Sequence, residues 1–201
     1  MHADRKRIIV AITGATGSIF AVRLLELLKG LDVETHLVVS KWGARTLIHE
    51  TLYTLEAVKA MAEVVHAEGD QGAVIASGSF LTAGMIVVPC SMRSLAAIAT
   101  GVGDNLIHRA ADVVLKERRK LVLVPREAPL HEIHLENMLR LTRMGAVILP
   151  PVPAFYTHPR TIDDLVDHVA ARILDQLGLH LDLGKRWDGS MAVDGAALTE
   201  P

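Results

Sequence analysis

Five short segments of this chain carry residues that could do chemistry, and each directly follows an apolar run. The first is Thr13-Gly14-Ala15-Thr16-Gly17. Glycines there would let a ligand approach the backbone, and a helix starting after them would offer unpaired N–H groups and a positive dipole end to an anion. With only Gly14 and Gly17 it departs from a Gly-x-Gly-x-x-Gly turn, and it also reads as a plain tight connection. Ser40-Lys41, Cys90-Ser91-Met92 and Pro125-Arg126-Glu127 follow three further apolar runs, and a fifth leads to Phe155-Tyr156. Arg126 beside Glu127 is either a phosphate clamp next to a carboxyl group or a structural ion pair. Arg109 and Lys116 fall about two turns apart on one predicted helix face, as anion ligands or as a solvated basic face.

Other chemistries fit less well. His131 and His134, with Glu132 and Glu136, do not have the spacing of His-Glu-x-x-His, and no metal site is expected. Cys90 has no histidine near it in sequence and reads as a small packed residue rather than a nucleophile. Dinucleotide binders place an acidic residue about 20 positions after the glycines to hold a ribose hydroxyl, whereas the second apolar run ends in Ser40. That disfavours NAD and favours a mononucleotide such as FMN.

The elements that must position these groups alternate. Short runs rich in Val, Ile and Leu, with little polar alternation, predict strands covered on both faces at 7–12, 33–39, 85–89, 121–124 and 146–149, with a further one near 73–76. Between them, helices are expected over 17–29, 42–50, 91–100, 106–118 and 134–143. After Thr161 the apolar positions Ile162, Leu165, Val166, Val169, Ala170, Ile173, Leu174 and Leu177 form one helical stripe. Thr161 with Asp164 has the form of a capping box, and Gly178 stands at the expected stop. Together these predict a single-domain α/β protein, Rossmann-like, with a doubly wound parallel sheet and helices on both faces. The domain is expected over 1–184, and 185–201 as a tail partly ordered around Trp187.

Composition favours a small-molecule ligand. The 201 residues are 50% hydrophobic, enough for one large core. A net charge of -2 gives no basic surplus for nucleic acid or an anionic membrane. No apolar run is long enough to span a bilayer, and the one after the N-terminal Arg-Lys-Arg is too short for a signal-peptide core. A single cysteine excludes an intrachain disulfide and suits a reducing compartment, so a cytoplasmic location is expected.

The longer strings are more specific. TGATG at 13–17, His49-Glu50-Thr51, VVPCSMRSLAAIATG at 87–101, RAADVVLKERRKLVLVPREAPL at 109–130 and HLENMLRLTRMGAVILPPVPAFY at 134–156 together resemble the UbiX family of flavin prenyltransferases. The resemblance runs from about Ile8 to Trp187 and is greatest to members that accompany phenolic or hydroxybenzoate decarboxylases. It implies an enzyme that joins the dimethylallyl group of dimethylallyl phosphate to N5 and C6 of reduced FMN, without metal, and supplies prenylated FMN to a UbiD-type decarboxylase. It also implies FMN held by Gly14, Ala15, Thr16, Ser40, Ser91, Met92, Arg93, Ser94 and Arg126, and dimethylallyl phosphate held by Tyr156, Arg172, Arg109 and Lys116. Glu50 and Glu127 match the acid-base carboxylates, and Thr16 stands at a catalytic position where many members have serine. A homo-oligomer, a dodecamer by resemblance, with sites shared between subunits is implied too. Two other readings share the fold: an FMN-dependent decarboxylase of the cysteine-peptide type, and a non-catalytic flavin-binding accessory subunit.

The split-glycine turn and Ser40 lead to a direct expectation. Titration of the purified protein should show FMN binding, by flavin fluorescence and calorimetry, and no tight binding of NAD.

Overall fold

The computed structural model describes residues 5–184 and 186–189. Six strands form one sheet in the order β3-β2-β1-β4-β5-β6, and every neighbouring pair is parallel. The strands are β1 (Lys6–Ile12), β2 (Val33–Val39), β3 (Val64–His66), β4 (Gly84–Cys90), β5 (Lys120–Pro125) and β6 (Val147–Ile148). The helices are α1 (Ser18–Lys29), α2 (Lys41–Glu50), α3 (Leu55–Lys59), α4 (Met92–Thr100), α5 (Leu106–Lys116), α6 (Glu132–Arg143) and α7 (Ile162–Asp175). Parallel strands need crossovers, and here the crossovers cover both faces.

Alternate residues of each strand feed two cores. Ile8, Val10 and Ile12 of β1 pack with Leu24, Leu25 and Leu28 of α1, Leu47 of α2, and Val169, Ile173 and Leu174 of α7. Ile9 and Ala11 face the other way, into Leu95 and Ile98 of α4, Ala110 and Val114 of α5, and Leu141 of α6. The expected doubly wound α/β architecture is therefore present.

Two departures from the sequence reading have physical causes. Residues 73–76 are not a strand: Val74–Ala76 form a 3-10 turn whose Ile75 and Ala76 pack under α5. The sheet edge is taken instead by β3, which pairs with β2 through His36↔Val64, Leu37↔Val65 and Val38↔His66. Its three residues give too short a period to read, and His66 packs by stacking its ring 5.2 Å from that of His36. The short helix α3 was also not foreseen; Thr54 caps it by accepting from the Ala57 amide. Of the tail expected from residue 185, only Arg186–Gly189 fall within the described residues.

Local signals held where they were specific. Thr161 and Asp164 make the reciprocal capping box, and Gly178 takes φ +68 after α7. Gly17 precedes α1 with φ +102, a region other residues enter at a cost.

Gly43 controls how closely α2 seats on the sheet. A Cβ there would lie 2.4 Å from the Ile12 carbonyl oxygen. Replacing a helix glycine by alanine ordinarily stabilises by about 1 kcal/mol, but this clash is with backbone. Gly43→Ala should instead lower stability by about 1–3 kcal/mol, read from chemical unfolding followed by circular dichroism.

Candidate functional site

The carboxyl ends of β1, β2, β4 and β5 face one edge, and the order reverses direction between β1 and β4. A crevice at such a switch point is where open parallel sheets bind ligands. Thr13 sets its floor. The Thr13 hydroxyl donates to the Pro89 carbonyl at 2.8 Å and accepts from the Ser91 amide at 2.7 Å, while its own amide donates to Pro89 at 3.2 Å. One 1%-exposed side chain thus ties the first loop to the end of β4. Ser40, past β2, is fastened to β1 by its amide, which donates to the Ile12 carbonyl at 2.9 Å.

Helix starts around the crevice are already partly occupied. Glu50, at the end of α2, accepts from the Gly17 and Ser18 amides at 2.9 and 3.1 Å and so caps α1. Burial raises its pKa, but hydrogen bonds from the Thr16 side chain, the two amides and the Ser18 side chain outweigh that and leave it below the usual carboxylate value. Two amides that the first loop offered to an anion are therefore taken by a carboxylate of the chain itself. The Ala15 amide donates to the Thr13 carbonyl at 2.9 Å, and among the described residues the Gly14 and Thr16 amides are left without a partner. At α2, Ser40 accepts from the Gly43 amide and Glu68 from the Lys41 amide, each at 2.9 Å. Ser91 caps α4, accepting from Ser94, and Ser94 is nearly buried. Gly14 is a glycine because Trp42 leaves no room: an added Cβ would meet the Trp42 Cβ at 2.5 Å.

Beyond β5, Arg126 and Glu127 are both exposed, and no ion pair joins them among the described residues. Among the described residues Glu127 accepts only from the neighbouring Ala128 amide, at 3.2 Å. The structural ion-pair reading is thus not what the structure contains, and the Arg126 guanidinium is available to a ligand. A second feature, a cavity of about 760 Å³, is lined by Tyr156, His168, Arg172, Arg186 and Trp187 among others. Tyr156 meets His168 and Trp187 edge-on, at 5.9 and 5.7 Å between ring centres. Burial, then the charges of Arg172 and Arg186, push the His168 pKa down.

The sequence profile of the flavoprotein family matches residues 1–174. A probable UbiX-like flavin prenyltransferase of Bacillus subtilis strain 168 is 58% identical over 191 residues, 95% of this chain and 94% of its own length. The chain belongs to the UbiX-type flavin prenyltransferase family. The crystal structure of AnUbiX (PadA1) in complex with FMN and dimethylallyl pyrophosphate superposes with a TM-score of 0.91 at 55% identity, covering 92% of this chain and 99% of that one. A dodecameric FMN-dependent UbiX-like decarboxylase from Escherichia coli O157:H7 superposes with a TM-score of 0.90 at 58% identity, covering 91% and 100%.

Against this UbiX-type frame, the residues expected at the flavin site gather at one edge. Gly14, Ala15 and Thr16 follow β1, Ser40 follows β2, Ser91 to Ser94 follow β4, and Arg126 follows β5. Arg93 is the outlying member, exposed and paired with Asp104 at 3.4 Å. Tyr156 and Arg172 share the cavity, but Arg109 and Lys116 do not line it. Arg109 binds the Ala76 carbonyl at 3.3 Å and Asp112 at 2.8 Å, and Lys116 pairs with Glu117. His131 and His134 stack at 3.5 Å, and no group of three or more metal-type ligands occurs among the described residues. Cys90 is fully buried, and burial pushes its thiol up to about 12, which suits packing and not attack. Thr13 is legible in sequence only as the first residue of the glycine turn; its tying role is not, because its partners lie 76 and 78 positions away.

Glu50→Ala should cost about 0.5–2 kcal/mol at neutral pH, the loss of an N-terminal cap. Because the folded carboxyl is lowered, its contribution is complete above the ordinary glutamate value and is lost as pH falls through the folded one. The stability gap between wild type and variant, measured by unfolding at stepped pH, should close in acid.

Proposed function

We propose that this chain is a flavin prenyltransferase acting on reduced FMN and dimethylallyl phosphate. The supporting observation is that the crevice and the adjoining cavity sit in a chain that overlays, across 92% of its length, a relative solved with FMN and dimethylallyl pyrophosphate. The donor set fits FMN: amides of Gly14 and Thr16 and an Arg126 guanidinium that are without a partner among the described residues, and the hydroxyls of Ser40, Ser91 and Ser94. When bound, reduced flavin supplies the nucleophilic ring that receives the prenyl group.

The protein's own groups do the rest. Departure of phosphate from an allylic carbon develops negative charge on oxygen, and Arg172, which lines the cavity, would stabilise that charge without presenting a nucleophile to the allyl cation. Glu50 is ionised at neutral pH through its amide bonds and can receive a proton. Glu127 is exposed beside Arg126 and can donate to, or relay for, the phosphate. Asp163-Asp164, the one adjacent aspartate pair that could suggest a metal-bound diphosphate, begins α7, where Asp164 accepts from the Arg160 and Thr161 amides at 2.7 and 2.9 Å. This favours a monophosphate donor handled by side chains without metal.

Arg109 and Lys116 do not line the cavity of their own chain, so as phosphate ligands they would act from another copy, in a homo-oligomer with shared sites. Exposed apolar residues on α2 and α6, including Trp42, Ile48, Ile133 and Leu139, support such contacts. The assembly is a dodecamer like that of the E. coli relative. Its product serves a UbiD-type decarboxylase in the cytoplasm. Because that same relative is described as a decarboxylase, the FMN-dependent decarboxylase reading is the alternative, and it requires no prenyl donor.

Anaerobic incubation with reduced FMN and dimethylallyl phosphate should yield flavin heavier by one dimethylallyl unit, with the same yield when EDTA is present. Dimethylallyl pyrophosphate should serve less well. Glu127→Gln should bind FMN as wild type does while its rate of transfer falls by about 10²–10⁴-fold. Flavin of unchanged mass would refute the proposal, and release of CO₂ from aromatic acids by the protein with FMN alone would establish the alternative.

A further inference from the structure

The cavity beside Tyr156 carries more positive charge than Arg172 alone. Its two lining carboxylates, Asp164 and Asp167, are both committed elsewhere. Asp164 accepts backbone amides at the start of α7, and Asp167 holds the Arg23 guanidinium at 2.5 and 3.4 Å. Asp175, the last residue of α7, instead gathers cations. Its 7%-exposed carboxylate accepts from Arg172 Nη1 at 2.9 Å, from His180 Nδ1 at 2.8 Å, and from Arg186 Nη1 and Nη2, each at 2.9 Å. Arg186 also donates to the Leu181 carbonyl at 3.3 Å. Those bonds, Arg186 first, hold the Asp175 carboxyl well below the usual carboxylate range and raise the Arg186 guanidinium.

Two guanidinium groups share one hydrogen-bonded carboxylate, with Asp182 acting on Arg186 through its charge, and several of their N–H donors are left unused. Arg172 gives Asp175 only one of its N–H groups, and both arginines remain about half exposed while lining the cavity. A fork of this kind, fixed in advance, loses little freedom when it meets a phosphate.

We propose that Arg186 is a second phosphate-binding arginine of the donor site and that Asp175 is the positioning residue that sets Arg172 and Arg186 side by side. The assignment rests on the reading that a phosphate ester is the donor. It gives the segment after α7 a part in binding: the chain turns at Gly178 and returns so that Arg186 and Trp187 close one side of the cavity, the cation for the phosphate and the ring for an apolar tail.

Arg186→Gln, Arg186→Lys and Asp175→Asn, each loaded with FMN, would be titrated with inorganic phosphate by calorimetry and assayed for KM of dimethylallyl phosphate and of reduced FMN. Arg186→Gln should weaken phosphate binding and raise the KM for dimethylallyl phosphate by about 10- to 100-fold, with the KM for FMN unchanged. Arg186→Lys should recover part of both, since charge remains while the fork is lost. Asp175→Asn should weaken phosphate binding despite removing a negative charge, which simple electrostatics would not produce. Trp187→Leu separates loss of the segment's packing from loss of charge, and should raise the KM for dimethylallyl phosphate without changing inorganic phosphate affinity. Wild-type phosphate affinity in Arg186→Gln would overturn the proposal, leaving Arg186 as a staple for the chain end. If Asp175→Asn does not fold, Arg186→Gln and Arg186→Lys decide alone. Should phosphate binding respond as expected while no protein forms prenylated flavin, the anion site would stand and the prenyl-transfer reading would fall.

Discussion

A parallel strand cannot return to its neighbour through a tight turn, and that constraint organises everything else in this molecule. Each strand must be followed by a crossover, so the carboxyl ends of β1, β2, β4 and β5 all arrive at the same edge. Burial on both faces fixes the register, since a slip of one residue would exchange the two cores. The site is what those loops do after leaving the sheet. Thr13 then locks the two central loops together with one hydroxyl group.

Internal carboxylates decide which parts of that edge remain open to a ligand. Glu50 closes the start of α1, and Glu68 takes the first amide of α2. The start of α4 has only the neutral Ser91 cap among the described residues and no acidic residue in its first turn. Its positive end is therefore the least compensated of the three, and it stands between the first loop and Arg126. Negative charge in a ligand meets the smallest repulsion there.

Much of this was legible in the chain, because the signals that were read are local. Caps depend on residues three apart, and Thr161 with Asp164 formed as expected. Apolar runs such as 7–12 and 33–39 report two-sided burial directly, and the glycine turn, Ser40 and Arg126 could be placed from the strands they follow. What was not legible depended on distant partners. β3 exists because β2 offers it an edge, and the apolar run at 73–76 found a better place under α5. Gly14 was read as room for a ligand, whereas its immediate reason is the Trp42 side chain 28 positions on. Glu50 was singled out as an acid-base group, but its bond to the start of α1 spans 33 positions and has no sequence signature. Arg109 and Lys116 were placed on one helix correctly and away from the cavity only once the fold was seen.

Cys90 gives the molecule an unplanned property. It is the only thiol of the chain, and it sits at the last position of β4, one residue before the loop that Thr13 holds. With its pKa pushed up to about 12, it carries almost no thiolate near neutrality and meets no reagent while the sheet is closed. Alkylation can occur only when the end of β4 parts from its neighbours. The rate at which this one sulfur becomes accessible is therefore a clock for the breathing of the crevice itself, with no other thiol to confuse the signal.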